Sequence, residues 1–236
     1  MTKVISFMSQ KGGTGKTTLS ILTATFLHSI GAGVAVIDAD FPQHSFTRTR
    51  TKDILDLKEK QGKKQGENLT LVDSQIKPYP VVDATVKEAT VALKSMKTSQ
   101  QLDFILIDIP GTFNVEGIDY LIDSLDLIIV PVELEYKSIT AAMETMSMIR
   151  SLNPKVSISV VWTKIKRNHK VAERQAYEDY FKSKFNPYIF KYMLLETVRV
   201  SQLLNTITPQ PESISEFVDE AGTMLLSIEG KTALMN

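Results

Sequence analysis

The 236-residue chain contains no cysteine at all. That excludes a disulfide framework, a thiolate zinc site, an iron–sulfur cluster and a catalytic thiol. Histidine is almost as scarce. His28, His44 and His169 lie far apart with no metal-ligand spacing, so a zinc enzyme is not expected. No stretch approaches the roughly 18 uncharged apolar residues that span a bilayer. The opening MTKVISFMSQKGG carries only a short apolar run that leads into glycines, not a cleavage site. These features predict a cytoplasmic protein without membrane segments. Net charge is absent too, 27 Lys+Arg meeting 27 Asp+Glu. The 43% apolar and 23% charged content suits a folded globular chain, read as one domain over 1–236.

Neutrality conceals a polarity along the chain. Residues 150–199 hold eleven basic and four acidic groups, a net +7, which leaves −7 for the rest of a neutral sequence. Segregated charge marks a surface for an anionic partner. Continuous Val/Ile/Leu runs predict strands at Val4–Ser9, Val34–Asp38, Leu69–Asp73, Phe104–Ile109, Leu127–Val132, Val156–Trp162 and Tyr188–Met193. Unbroken runs, unlike alternating ones, suit strands covered on both faces. Helical patterns fill the gaps: one from Leu19 to Ile30, closed by Gly31 and Gly33, then Asp83–Met96, Lys137–Leu152, Lys170–Phe185 and Glu212–Ile228. The alternation predicts an α/β fold, an open, mostly parallel twisted sheet with helices on both faces. Residues 48–68, polar and highly charged, read as a mobile loop or an exposed helix.

The strongest chemical signal is Lys11-Gly12-Gly13-Thr14-Gly15-Lys16-Thr17-Thr18 between the first strand and first helix. Glycines let the backbone wrap a phosphate chain with its N–H groups turned inward, and a helix N-terminus adds its dipole. Lys16 is placed to reach the β- and γ-phosphates and the Thr17 hydroxyl to bind Mg²⁺. The pattern G-x-x-x-x-G-K-[ST] wants glycine at position 10, where this chain has Gln10, and an extra lysine, Lys11, follows. Two further segments end strands in carboxylates: Asp38-Ala39-Asp40-Phe41-Pro42-Gln43 and Asp103 through Asp108-Ile109-Pro110-Gly111. At the carboxyl edge of a parallel sheet such groups can hold Mg²⁺ or its waters and orient a nucleophilic water.

Ser9 through Thr18 resembles the deviant Walker motif of the ParA/MinD family of dimerising P-loop ATPases. The resemblance runs through the D-x-D segment, with Phe41 as an extra residue, and through Asp108-Ile109-Pro110-Gly111, where the family often has a second proline. It continues through Leu127–Val132 with Glu135-Tyr136, Trp162-Thr163-Lys164 and Thr197-Val198-Arg199-Val200-Ser201, covering about residues 3–205. It implies an ATP- and Mg²⁺-dependent homodimer in which Lys11 acts on the other subunit's phosphates. It further implies that Asp40 positions the attacking water, Asp38 and Asp108 join the Mg²⁺ shell, and Pro42, Gln43, Pro110 and Gly111 form switches. Thr163 and Lys164 fall at the adenine-contacting place. Cysteine-dependent relatives, the nitrogenase iron proteins and arsenite-pump ATPases, do not match a chain without cysteine. MinD-type membrane docking through a basic C-terminal helix does not match the acidic Glu216-Phe217-Val218-Asp219-Glu220.

DNA partition remains as the expected role. Lys166, Arg167, Lys170 and Arg174, with Arg199, form a candidate patch for non-specific DNA phosphates, Lys164 being divided between adenine and DNA, and an activating partner protein is implied. Non-specific binding would associate the protein with the nucleoid. The Asp-x-Asp-x-Pro-Gln-His-Ser spelling resembles ParA-like proteins of bacterial conjugative elements. Two alternatives stay open: a small-molecule ATP-dependent ligase of the same fold, of the dethiobiotin-synthetase kind, and an ATP-binding adaptor of a conjugation complex.

Overall fold

A computed structural model describes residues 2–64, 77–99, 101–166, 168–195, 204–207 and 215–223, with side chains from 60 to 64 outside the description. In chain order the elements are β1 (Lys3–Phe7), α1 (Lys16–Ser29), β2 (Val34–Asp38), α2 (Ser45–Lys64), β3 (Val81–Asp83), α3 (Val86–Met96), β4 (Phe104–Asp108), α4 (Ile118–Asp123), β5 (Leu127–Val132), α5 (Tyr136–Leu152), β6 (Ser157–Ile165), α6 (Val171–Phe185) and β7 (Tyr188–Leu195). Residues 215–223 are helical as well.

The seven strands form one sheet in the order β3-β2-β4-β1-β5-β6-β7, every pair parallel. β2 and β5 are buried at every position, as their unbroken apolar runs require. One face packs against α3, α4, α5 and α6 through residues such as Leu93, Leu121, Met146 and Phe181. The other packs against α1, α2 and the helical residues 215–223 through Leu19, Phe46 and Phe217. There Phe190 and Phe217 meet with ring centres 4.8 Å apart, which ties the last helix to the β7 edge.

The order reverses at β1: β4 and β2 lie to one side, β5 to β7 to the other. Loops leaving the carboxyl ends here diverge and open the crevice where parallel α/β sheets bind ligands. The pairing register aligns four strand ends in a row, Asp83, Asp38, Asp108 and Phe7. Three neighbouring strands therefore each finish in an aspartate.

The charged segment 48–68 is helical through Lys64, and its described part is not simply exposed. Phe46, Arg50 and Asp53 are buried on one face of α2. Arg50 donates to the Tyr79 carbonyl at 3.0 Å and lies over that residue's ring. The Asp53 carboxylate accepts from the Thr206 N–H and hydroxyl, both at 2.7 Å. A polar sequence hid this face because its buried charges meet partners distant in the chain. The third expected strand, Leu69–Asp73, lies outside the described residues. The observed β3 starts twelve residues later, and its last residue, Asp83, is where the second helix was expected to start. That helix begins at Val86 because Thr85 and Glu88 form a reciprocal capping box. α4, six residues behind a left-handed Gly117, is too short to show periodicity. Among the described residues no helix is long and apolar enough to cross a membrane.

Candidate nucleotide site at the carboxyl edge

The loop between β1 and α1 is shaped by two glycines in left-handed conformation, Gly13 (φ +75°) and Gly15 (φ +98°), the second serving as N-cap of α1. Side chains from elsewhere hold the loop from behind. The Thr163 hydroxyl donates to the Thr14 carbonyl at 3.0 Å, and Lys164 Nζ to the Gly13 carbonyl at 2.6 Å. The Gln10 N–H donates to Thr145 Oγ1 at 3.2 Å. Thr163 and Lys164, expected beside adenine, are here seen to brace the loop. Thr163 is fully buried, and Lys164 spans the loop and Glu133, at 2.9 Å.

Lys16 lies in the crevice. Burial lowers its ammonium below the ordinary lysine range, against the opposing charges of Asp108 and Asp40. A Cβ at Gly111 would lie 3.5 Å from Lys16 Nζ and from the Ser9 carbonyl oxygen, so the Pro110-Gly111 segment passes directly over the loop. Asp108 is fully buried and neither carboxylate oxygen has a hydrogen bond of ordinary geometry. Burial pushes its carboxyl up to about 7; the nearby Thr17 hydroxyl and Lys16 pull it down, Asp38 and Asp40 push it up. Asp40 is likewise raised, by burial first, with Lys16 opposing. A buried carboxylate with orphaned oxygens beside a threonine hydroxyl and the phosphate loop fits a hard divalent cation, which prefers oxygen ligands. Asp38 is buried as well, its oxygens accepting from the Thr47 N–H at 2.9 Å and the Asp40 N–H at 3.3 Å.

Lys11 behaves differently from Lys16. Its ammonium pairs with Glu133, at 3.3 Å, and with Glu135, beyond the end of β5. Partial burial works against its charge, but the two carboxylates outweigh it and hold the ammonium above the ordinary lysine range. Glu135 is held low by the same contact. Sequence reasoning noticed Glu135 only as part of a resemblance and missed Glu133. The available signal was topological: residues following each parallel strand line one edge.

Of the candidate DNA groups, Lys166 and Lys170 are exposed where β6 leads into α6. Arg174 is largely covered and paired with Glu178, which also accepts from Trp162 Nε1 of β6 at 2.8 Å, so the pair joins α6 to the sheet. Arg167 and Arg199 lie outside the described residues.

Sheet order, reversal point and phosphate loop define the class, a P-loop nucleotide-binding α/β protein. The AAA-domain family model matches residues 2–160. The chain is 28% identical over 235 residues to the chromosome partitioning protein ParA of Caulobacter vibrioides, covering 85% of this chain and 83% of that protein. Among solved structures it superposes on MinD in the MinC:MinD cell division complex of Aquifex aeolicus (TM-score 0.67, 22% identity, 94% and 95% of the two chains). It also superposes on a plasmid partition protein of Borrelia burgdorferi bound to AMPPNP (TM-score 0.64, 22% identity, 98% and 100%). The chain belongs to the ParA/MinD-type P-loop ATPases of the AAA-domain family, among the ParA-like partition proteins.

Proposed function

We propose that this protein is an ATP-driven switch for partitioning DNA. ATP binds with its phosphates in the Gly12–Thr18 loop and Lys16 on the β- and γ-phosphates. Thr17 and Asp108, with Asp38 behind them, would hold Mg²⁺, which when bound neutralises phosphate charge. Asp40 orients the attacking water and Gly111 offers its N–H towards the γ-phosphate. Pro42 and Gln43, with Pro110, carry the difference between nucleotide states to the surface. The AMPPNP bound to the Borrelia partition protein supports nucleotide occupancy of the same crevice here.

The observation that carries the switch reading is the division between the two lysines. Lys16 is sequestered in the crevice, whereas Lys11 is paired with Glu133 and the exposed Glu135. A lysine held by a carboxylate at the exposed rim of this edge is placed to meet phosphates of a second subunit docked there. The closed homodimer then presents the exposed Lys166, Lys170, Lys182, Lys184 and Lys191 to DNA phosphates without reading bases. A partner protein accelerates hydrolysis and reopens the dimer.

The test is light-scattering sizing with ADP, and with ATP under non-hydrolysing conditions, with and without duplex DNA at two salt concentrations. The expected result is an ATP-only dimer whose DNA affinity falls steeply with salt. Lys11→Ala is expected to retain ATP and lose dimer and turnover. A mass unchanged by ATP, or normal hydrolysis by Lys11→Ala, would refute the switch.

A further inference from the structure

The aspartate row at the carboxyl edge is neutralised unevenly. At the Asp108 end stands Lys16, with Thr17 beside it. At the other end Asp38 and Asp83 are register partners on adjacent strands, and among the described residues no lysine or arginine pairs with either. The third group there is His44. Its backbone is held in left-handed conformation (φ +44°) with its N–H on the Asp40 carbonyl at 2.7 Å, and the Phe41 ring stands edge-on to the imidazole. His44 Nδ1 is buried, has no hydrogen-bond partner, and lies 3.7 Å from Asp38 Oδ1. One ligand atom from each of Asp38, His44 and Asp83 falls within 4.8 Å of the others.

One imidazole nitrogen and two carboxylate oxygens this close together can be joined by a single cation. The Asp38 oxygens accept from Thr47 and Asp40 but keep lone pairs free. Asp83 accepts from the Thr47 hydroxyl and is exposed at a strand end, so it can rotate inwards. Ligands about 2.0–2.2 Å from a tetrahedral ion are roughly 3.3 Å apart, a modest contraction of this cluster. An imidazole with two carboxylates suits a borderline transition ion better than Mg²⁺ or Ca²⁺.

We propose that Asp38, His44 and Asp83 form a second cation site, adjoining the phosphate crevice through Asp38, that takes a divalent transition ion of the Zn²⁺ type. Bound there, the ion ties the segment carrying Asp40, Pro42 and Gln43 to the β3 edge. The scarcity of histidine led sequence reasoning away from zinc because Asp83 lies 39 positions from His44 in the chain.

The chain offers a clean background, with no cysteine and three histidines. The full-length, tag-free, EDTA-treated protein is titrated with Zn²⁺ by calorimetry without nucleotide, and its histidine ring signals are followed by NMR. One ion per chain is expected, shifting one of three imidazole signals, with affinity at least tenfold weaker in His44→Gln and in Asp83→Asn and unchanged in Asp108→Asn. Zn²⁺ should raise the unfolding temperature of the parent and not of His44→Gln, a comparison valid where both variants keep the parent's circular dichroism. Loss of binding in Asp108→Asn, movement of the His28 or His169 signal instead, or equal affinity in parent and His44→Gln would overturn the site.

Discussion

Replacing Asp108 by asparagine should stabilise the nucleotide-free protein while disabling it. The carboxyl is fully buried, its oxygens have no ordinary hydrogen bond, and its pKa stands at about 7 against an unfolded value near 3.8. A raised carboxyl favours the folded state when protonated and opposes it when charged. Its stabilising contribution is complete below the unfolded value. It declines as pH rises above about 4, and above 7 the full penalty is present. A difference of roughly three pKa units corresponds to about 4 kcal/mol at full ionisation, of which about 2 kcal/mol falls between pH 5.5 and 8. Urea unfolding of parent and Asp108→Asn at several pH values in that interval measures it. The parent should lose about 2 kcal/mol relative to the variant on going from pH 5.5 to 8, because asparagine does not titrate. The variant's ATP hydrolysis should fall below detection. Parallel stability profiles for the two proteins would show that Asp108 is not a suppressed charge in the folded chain, and the argument for its cation-binding role would lose its electrostatic basis.

Other expectations test the remaining parts. Asp53→Ala removes the acceptor for the Thr206 N–H and hydroxyl and should cost about 3 kcal/mol in denaturant unfolding, since both donors stay buried. Thr163→Val deletes the hydroxyl that holds the Thr14 carbonyl. ATP affinity measured by fluorescence should fall roughly tenfold, about 1.4 kcal/mol, with the fold intact. Gly15→Ala places a Cβ where φ is +98°. It should destabilise by about 1–2 kcal/mol and abolish nucleotide binding, read by thermal unfolding with and without ATP.

The sequence already carried the elements that rest on local physics. Apolar runs marked six of the seven strands because burial on both faces leaves little polar alternation, as in Leu127–Val132. The Lys11–Thr18 loop was readable because a phosphate cradle needs Gly13 and Gly15 at positive φ, a requirement carried by residue type alone. The same local logic could have placed the start of α3, since Thr85 and Glu88 form a box three residues apart.

What the sequence could not supply was every relation between distant positions. Lys11 could be distinguished from Lys16 by its extra place in the motif. Its pairing with Glu133 and Glu135, more than 120 positions away, arises only when β1 and β5 become neighbours. The charges of α2 looked like a solvated surface until tertiary contacts gave Arg50 a ring and carbonyl at Tyr79 and Asp53 two donors at Thr206. Asp83 carried no signal beside Asp38, because two residues 45 positions apart become register partners only through the parallel pairing of β2 with β3. Residue type and local spacing therefore decided which chemistry this chain can perform. The strand order of the sheet decided which charges meet, because electrostatics depends on distance in space and not along the chain.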